Sequence, residues 1–158
     1  MSVVMDTLVN RVEKFSSWDP TVSASRVVET VDDNHAVIYM KFKGVGPVTS
    51  RDLVQARTVR YMSDSSRGEY VLVAFCSIDH TDAPKTKSVR AHCKRAAWML
   101  RSVVEDGTHG AKNSTELLWM SQTDVHSSAP SRIVNSVGAK GLSDWYSALF
   151  KACQASNS

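Results

Sequence analysis

Apolar and polar residues alternate in short runs along most of this chain, and the period changes near its end. The first pattern is helical: Leu8, Val9, Val12 and Phe15 share one face, Asp6 is placed to cap it, and the stretch SSWDP (16–20) is placed to end it. Strand-like runs follow at SRVVETV (25–31), at DDNHAVIYMKF (32–42) after a turn, at 51–61 and at YVLVAFCSI (70–78). GVGP (44–47) and DHTDAPKT (79–86) read as loops, and SDSSRGE (63–69) as a hairpin connection. Two more runs, at 87–104 and 114–125, flank a turn at DGTHGAKN (106–113). About six strands with short connections predict an antiparallel meander rather than a parallel sheet. From Pro130 onward Ile133, Val134, Val137, Leu142, Trp145, Leu149 and Cys153 recur at helical spacing. A long amphipathic C-terminal helix is predicted, with Ser128 as its cap and Pro130 in its first turn. Gly138 and Gly141 lie inside it, each costing about 1 kcal/mol relative to alanine. The whole is an α+β chain: a curved antiparallel sheet with one long helix laid across it.

One position breaks the alternation. In VTSRDLVQARTVRY (48–61), Leu53, Val59 and Tyr61 belong to an apolar face, and Arg57 stands among them. A guanidinium stays protonated in a protein and is costly to bury without a partner. Something must meet it.

Composition sets few further bounds. With 158 residues the chain fits a single domain, 1–158, with its core at about 6–154. Nineteen basic against sixteen acidic residues give a net charge of +3, and the basic residues are scattered, so nucleic acid is not an expected partner. Cys76, Cys93 and Cys153 are too far apart for a zinc knuckle or a disulfide framework, and reduced, buried thiols in a cytoplasmic protein are expected. No run approaches a membrane span and the start has no signal-peptide pattern, so the NST sequon at Asn113 carries no weight. His35, His80, His92, His109 and His126 have no metal-ligand spacing, and no nucleophile elbow or phosphate loop occurs. No cofactor, no metal and no enzymatic activity are expected. Catalysis would need a titratable group poised in a cavity, for which His92 and Tyr61 are the candidates.

Several segments in order carry a resemblance: WDP (18–20), SRDLVQAR (50–57), SVRAHC (88–93), LLWMSQTDVHSSAP (117–130) and the ending ALFKACQ (148–154). Together they resemble the StAR-related lipid-transfer (START) domain. The resemblance implies a helix-grip fold, in which a sheet wraps a long C-terminal helix and encloses a tunnel for one lipid or sterol. It also implies that the first strands of the family fold are missing here, because family members carry a further helix and three strands ahead of this segment. An uncovered sheet edge invites pairing, so a homodimer is an expected partner arrangement.

For the site, the resemblance implies that Arg57 is a cavity arginine. Sterol-binding members pair it with an acid on the preceding strand, and Lys41 stands at the matching position. Facing inward, Lys41 would join Arg57 in favouring a negatively charged ligand; alternation with Ile38, Met40 and Phe42 instead sends it outward. Arg51 and Asp52 match the family's RD pair and are expected to fix the strand entry. Trp119 and Trp98 lie on apolar strand faces, suited to packing or to ligand contact. Val134, Val137 and Gly138 face the tunnel if the helix lies as implied. The candidate lipid-binding set is thus Arg57, Lys41, Tyr61, His92, Trp119, Val134, Val137 and Gly138. The implied function is lipid binding with intracellular transfer or sensing, in the cytoplasm and in transient contact with membrane surfaces. The ligand would be a phospholipid or sterol. The competing reading is an interaction or regulatory module that keeps the fold without transport.

Overall fold

The computed structural model describes residues 1–65, 68–107 and 110–156, with side chains throughout except at 105–107 and 110–113. His109, and parts of the turns expected at 63–69 and 106–113, therefore fall outside the described residues. Six antiparallel strands form the sheet in the order β1-β2-β3-β4-β6-β7, with β1 at Val22–Thr30, β2 at His35–Phe42, β3 at Arg51–Asp64, β4 at Gly68–Ser77, β6 at His92–Gly107 and β7 at Gly110–Asp124. The meander expected from period-two alternation is present. One strand was not foreseen: β5, Val89–Arg90, runs parallel to the start of β3. It takes the edge of β3 that β4 leaves free, since β4 pairs with β3 only from Gln55 onward.

The N-terminal segment covers one face of this sheet as a broken helix rather than a regular one. α1, Ser2–Met5, runs into a wide turn over Asp6–Asn10 and a tight turn over Val12–Lys14 before α2, Phe15–Trp18. Within this irregular winding Leu8, Val9, Val12 and Phe15 all face the core, and each is buried. Asp6 does not cap the segment; it lies inside it and pairs with Arg11 at 2.6 Å. The helix runs on to Trp18, past the end expected at Ser16. It stops at Asp19, whose buried carboxylate accepts hydrogen bonds from the Thr21 backbone N–H (2.8 Å) and hydroxyl (2.7 Å).

The C-terminal helix α3 spans Ser131–Ala155, with Pro130 at its N-cap and no side-chain cap bond, so Ser128 does not serve as the cap. Its apolar periodicity correctly marks a helix but overstates its burial. Only Trp145 and Leu149 are buried, while Ile133 and Leu142 are 39% and 48% exposed. The helix is anchored near its C-terminal half and stands off the sheet at its beginning.

The two faces of the sheet differ. The inner face, under the helices, holds the main core, with Ile38, Met40, Val59, Val73, Phe75 and Leu100. The outer face carries a small cluster of Val37, Val54 and Ala83 under the 79–86 loop. The three cysteines are free, but they are not all buried as expected: Cys76 points out from β4 and is exposed. Gly44 sits where a Cβ would crowd the returning chain, 3.0 Å from the Ser50 backbone nitrogen, so a larger residue would press the 44–50 backbone apart.

Arg51 and Asp52 fasten the strand entry. The Arg51 guanidinium donates to the carbonyls of Thr49 and Val125, both at 2.6 Å, tying the start of β3 to the end of β7. Asp52 is fully buried and accepts from Arg90 Nε at 2.7 Å and the Thr86 hydroxyl at 3.1 Å, which holds the 79–90 segment on the outer face. Burial first, and then the Asp52 charge, raise the Tyr39 phenol above its ordinary pKa. Removing one partner of a buried ion pair strands the other. Asp52→Asn is therefore expected to destabilise the fold by about 3–5 kcal/mol, read as a lowered urea midpoint in circular dichroism.

Candidate functional site

The inner face collects the aromatic side chains. All four tryptophans meet there: Trp145 of α3 lies 4.8 Å from Trp119 of β7, 6.2 Å from Trp18 of α2 and 6.3 Å from Trp98 of β6, ring centre to ring centre. Phe75 of β4 packs edge-on against Trp98 at 4.6 Å, and Phe15 lies 4.9 Å from Trp18. The cluster joins sheet, N-terminal segment and C-terminal helix through one indole, and Trp18 Nε1 is buried in it without a hydrogen-bond partner. Sequence periodicity placed Phe15, Trp98, Trp119 and Trp145 on apolar faces; that Trp18 and Trp145 meet is tertiary information that no local pattern carries.

Arg57 stands on the same face, directly between Ala36 of β2 and Phe75 of β4. Its Nη1 donates to the backbone carbonyl of Val9 at 2.6 Å, at the end of the wide turn in the N-terminal segment. That carbonyl is the partner the sequence could not name, because it is main chain from a segment 48 residues away. The guanidinium is only partly satisfied: its Nε is buried with no partner. Burial holds its pKa below the ordinary arginine value, and it remains a cation. A buried unsatisfied donor costs about 1–3 kcal/mol.

The other candidates divide by face. Trp119 is on the inner face and remains 39% exposed beside Trp145, so it borders the cluster rather than lying inside it. Val134 and Val137 are half-buried on α3. Tyr61 shares the inner register of β3 with Arg57 but is 73% exposed, beyond the end of the packed region. Lys41 does not face Arg57. It pairs across β2 and β3 with Asp52, on the outer face with Tyr39, as strict alternation requires. His92 is likewise exposed and away from the inner face; it lines an outer groove of about 660 Å³ with Ser77, Ile78, Lys85, Arg90 and His126. Nothing in the sequence marked this groove, in which His126 takes a left-handed backbone (φ 45°) with its ring 2.9 Å from the Arg90 carbonyl. Arg57 and Trp119 thus share the face of the sheet that the helices cover, whereas Lys41 and His92 do not.

Gly138 is exposed, and neither Gly138 nor Gly141 is needed for close packing, since an added Cβ would meet nothing within 4 Å. Among the described residues, no group of three or more His, Cys, Asp or Glu side chains could hold a metal ion, and no helix is long and apolar enough to cross a membrane. Substituting alanine at Gly138 and at Gly141 is expected to stabilise the chain by about 1 kcal/mol each through helix propensity, measured as a raised urea midpoint.

Comparison with known proteins points one way. The sequence matches the START domain family over residues 1–158. Over 82 residues, 51% of this chain, it is 30% identical to the ceramide transfer protein of Xenopus tropicalis, and over 83 residues it is 32% identical to that of Homo sapiens. The match spans only 13% of either protein's length. In three dimensions the chain is similar to human StAR-related lipid transfer protein 5, with a TM-score of 0.78 at 18% identity, covering 99% of this chain and 71% of that one. Human STARD10 gives a TM-score of 0.75 at 19% identity, covering 97% and 58%. At such identities these structures establish the helix-grip fold.

Proposed function

Since this chain belongs to the START domain family, we propose that it binds a single lipid between the inner face of its sheet and α3, and transfers or senses that lipid at membrane surfaces. The relatives with which it shares sequence and fold are lipid transfer proteins by name, which supports this class of activity. The observation that carries the reading is Arg57. A cation on an apolar face, with a buried Nε that no protein group meets, is stabilised by a polar atom brought in by a guest. Lys41, on the far face, adds no second charge beside Arg57. A phospholipid phosphate and a sterol hydroxyl both accept from a guanidinium, so either class fits. Binding and release without bond-making is the chemistry this arrangement supports, in a cytoplasmic setting with transient membrane contact.

A second reading has its own observation. The indoles of Trp18, Trp98 and Trp119 close on Trp145 and fill the space between sheet and helix at that level. A domain that keeps the fold and acts through its surface would be packed in this way.

The two are separated by incubating the purified chain with phosphatidylcholine vesicles, with and without cholesterol, and weighing it by native mass spectrometry. One phospholipid or sterol per chain is expected, with a shift in tryptophan fluorescence because all four indoles border the site. A chain that takes up neither lipid overturns the carrier reading. Arg57→Leu should reduce uptake at least about tenfold while leaving circular dichroism unchanged, because it removes an unsatisfied donor along with one hydrogen bond. Arg57→Lys, which keeps the charge and loses the fork, should fall between the two. Undiminished uptake by Arg57→Leu would refute the role of this residue.

A further inference from the structure

Six polar or charged residues are buried among the described residues, and the side chains of five are hydrogen-bonded. Thr7 donates to the Val3 carbonyl at 2.9 Å, Ser88 meets the Ser50 hydroxyl at 3.1 Å, and Asp19, Arg51 and Asp52 are engaged at the starts of β1 and β3. The sixth is Gln55, 7% exposed on β3, whose amide has no partner among the described residues. It shares the inner face with Arg57, two residues or about 6.6 Å away along the strand. Directly across from it stand Ile38 of β2 and Ser77 of β4. Ile38 offers no polar side-chain atom, and the Ser77 hydroxyl accepts instead from the Cys93 N–H at 2.9 Å. A buried amide is rarely left without hydrogen bonds. Nor is this one sealed in: the enclosed unpaired side-chain atoms are Trp18 Nε1, Ser25 Oγ and Arg57 Nε, and neither amide atom of Gln55 is among them. Its tip therefore still touches open space. β3 is an inner strand, with β1 and β2 on one side and β4, β6 and β7 on the other, so that opening is not a sheet edge.

We infer that Gln55 sets which lipid the site accepts, and that the preferred guest is an uncharged lipid whose polar end carries a hydroxyl rather than a phosphodiester. This rests on the carrier reading and narrows it. The two side chains make different demands. Arg57 Nε can only donate, whereas the Gln55 amide donates through Nε2 and accepts through Oε1. A phosphodiester answers both donors but has no hydrogen to give, so Oε1 would face a negative charge with nothing to accept. A hydroxyl answers both kinds: its oxygen accepts from a nitrogen, and its hydrogen goes to Oε1. Charge attraction does not reverse this order. A phosphate brought beside Arg57 in an apolar setting must shed its water, and that loss roughly cancels the attraction. A site that hydrogen-bonds a hydroxyl discriminates strongly against a molecule lacking one, because the protein's own polar group is then left unpaired.

The test is competition read by native mass spectrometry. The purified chain is equilibrated with phosphatidylcholine vesicles that contain, in turn, an equal amount of cholesterol, dioleoylglycerol or N-oleoylsphingosine, and the lipid it carries identifies the source of the hydroxyl. At least one of the three is expected to be taken up with at least about tenfold preference over phosphatidylcholine. Gln55→Met fills the same space without the amide and should reduce that preference to within about twofold, while phosphatidylcholine uptake persists. Arg57→Leu should instead lower the uptake of every lipid. Preference for phosphatidylcholine over all three, or a preference unchanged in Gln55→Met, overturns the assignment and leaves the carrier reading standing. A chain that takes up none of these lipids overturns the carrier reading, and the assignment falls with it. Should Gln55→Met lose its circular dichroism spectrum, the unmodified chain decides. Methylating the hydroxyl groups of the preferred lipid keeps the acceptor and removes the donor, and must lower uptake at least about tenfold. Undiminished uptake of the methyl ether refutes the role of Gln55.

Discussion

Ionised side chains on the buried stretch of β3 govern how the rest of the molecule is arranged. Arg51, Asp52 and Arg57 occupy one strand, and alternation sends Asp52 to the outer face and the two arginines to the inner. None can be left unmet in an apolar setting. Asp52 is met by Arg90 and Thr86, which draws the 79–90 segment across the outer face and accounts for the short parallel strand β5 beside it. Arg51 is met by carbonyls at the end of β7, which sets the exit from the last strand just ahead of α3. Arg57 is met on one side only, by the Val9 carbonyl, and this contact fixes the wide turn of the N-terminal segment against the sheet. Two charges serve the fold and are satisfied; the third is satisfied in part, and it is the one that faces the helices.

Most of the architecture was legible because sheet and helix differ in period. Alternation located β2, β3, β4, β6 and β7, and the three-to-four spacing after Pro130 located α3. Alternation also gave the right face for Lys41 where the family resemblance pulled the other way; the period-two rule is geometric, whereas a matched position carries no information about direction. What could not be read was tertiary in origin. The partner of Arg57 is a main-chain atom, which has no sequence signature. The broken winding of residues 2–18 has no signature in the sequence, because the spacing of Leu8, Val9, Val12 and Phe15 fits a regular helix equally well. β5 exists because β4 leaves β3 early, which depends on where two strands diverge rather than on the composition of Val89 and Arg90.

The burial of α3 was misjudged for a related reason. Helical periodicity reports that a face is apolar; it does not report whether anything lies beneath it. Trp145 and Leu149 are buried, and burying such side chains contributes about 1.5–3 kcal/mol each, enough to hold the C-terminal half of the helix. Ile133 and Leu142, with the same pattern, remain in contact with solvent. The anchor and the aromatic cluster coincide, since Trp145 is the residue on which Trp18, Trp98 and Trp119 converge.

That coincidence bears on how a lipid would enter. In the proposed reading, a guest must reach Arg57 from the side where helix and sheet are least joined, which is the stretch of α3 preceding Trp145. Few buried contacts hold that stretch, so separating it from the sheet exposes little additional apolar surface. Opening at Trp145 would break contacts with three other indoles and disturb the N-terminal segment that holds Arg57 through Val9. In that reading the asymmetry of the helix favours entry ahead of the tryptophan cluster, and the cluster would form the closed end of the proposed site.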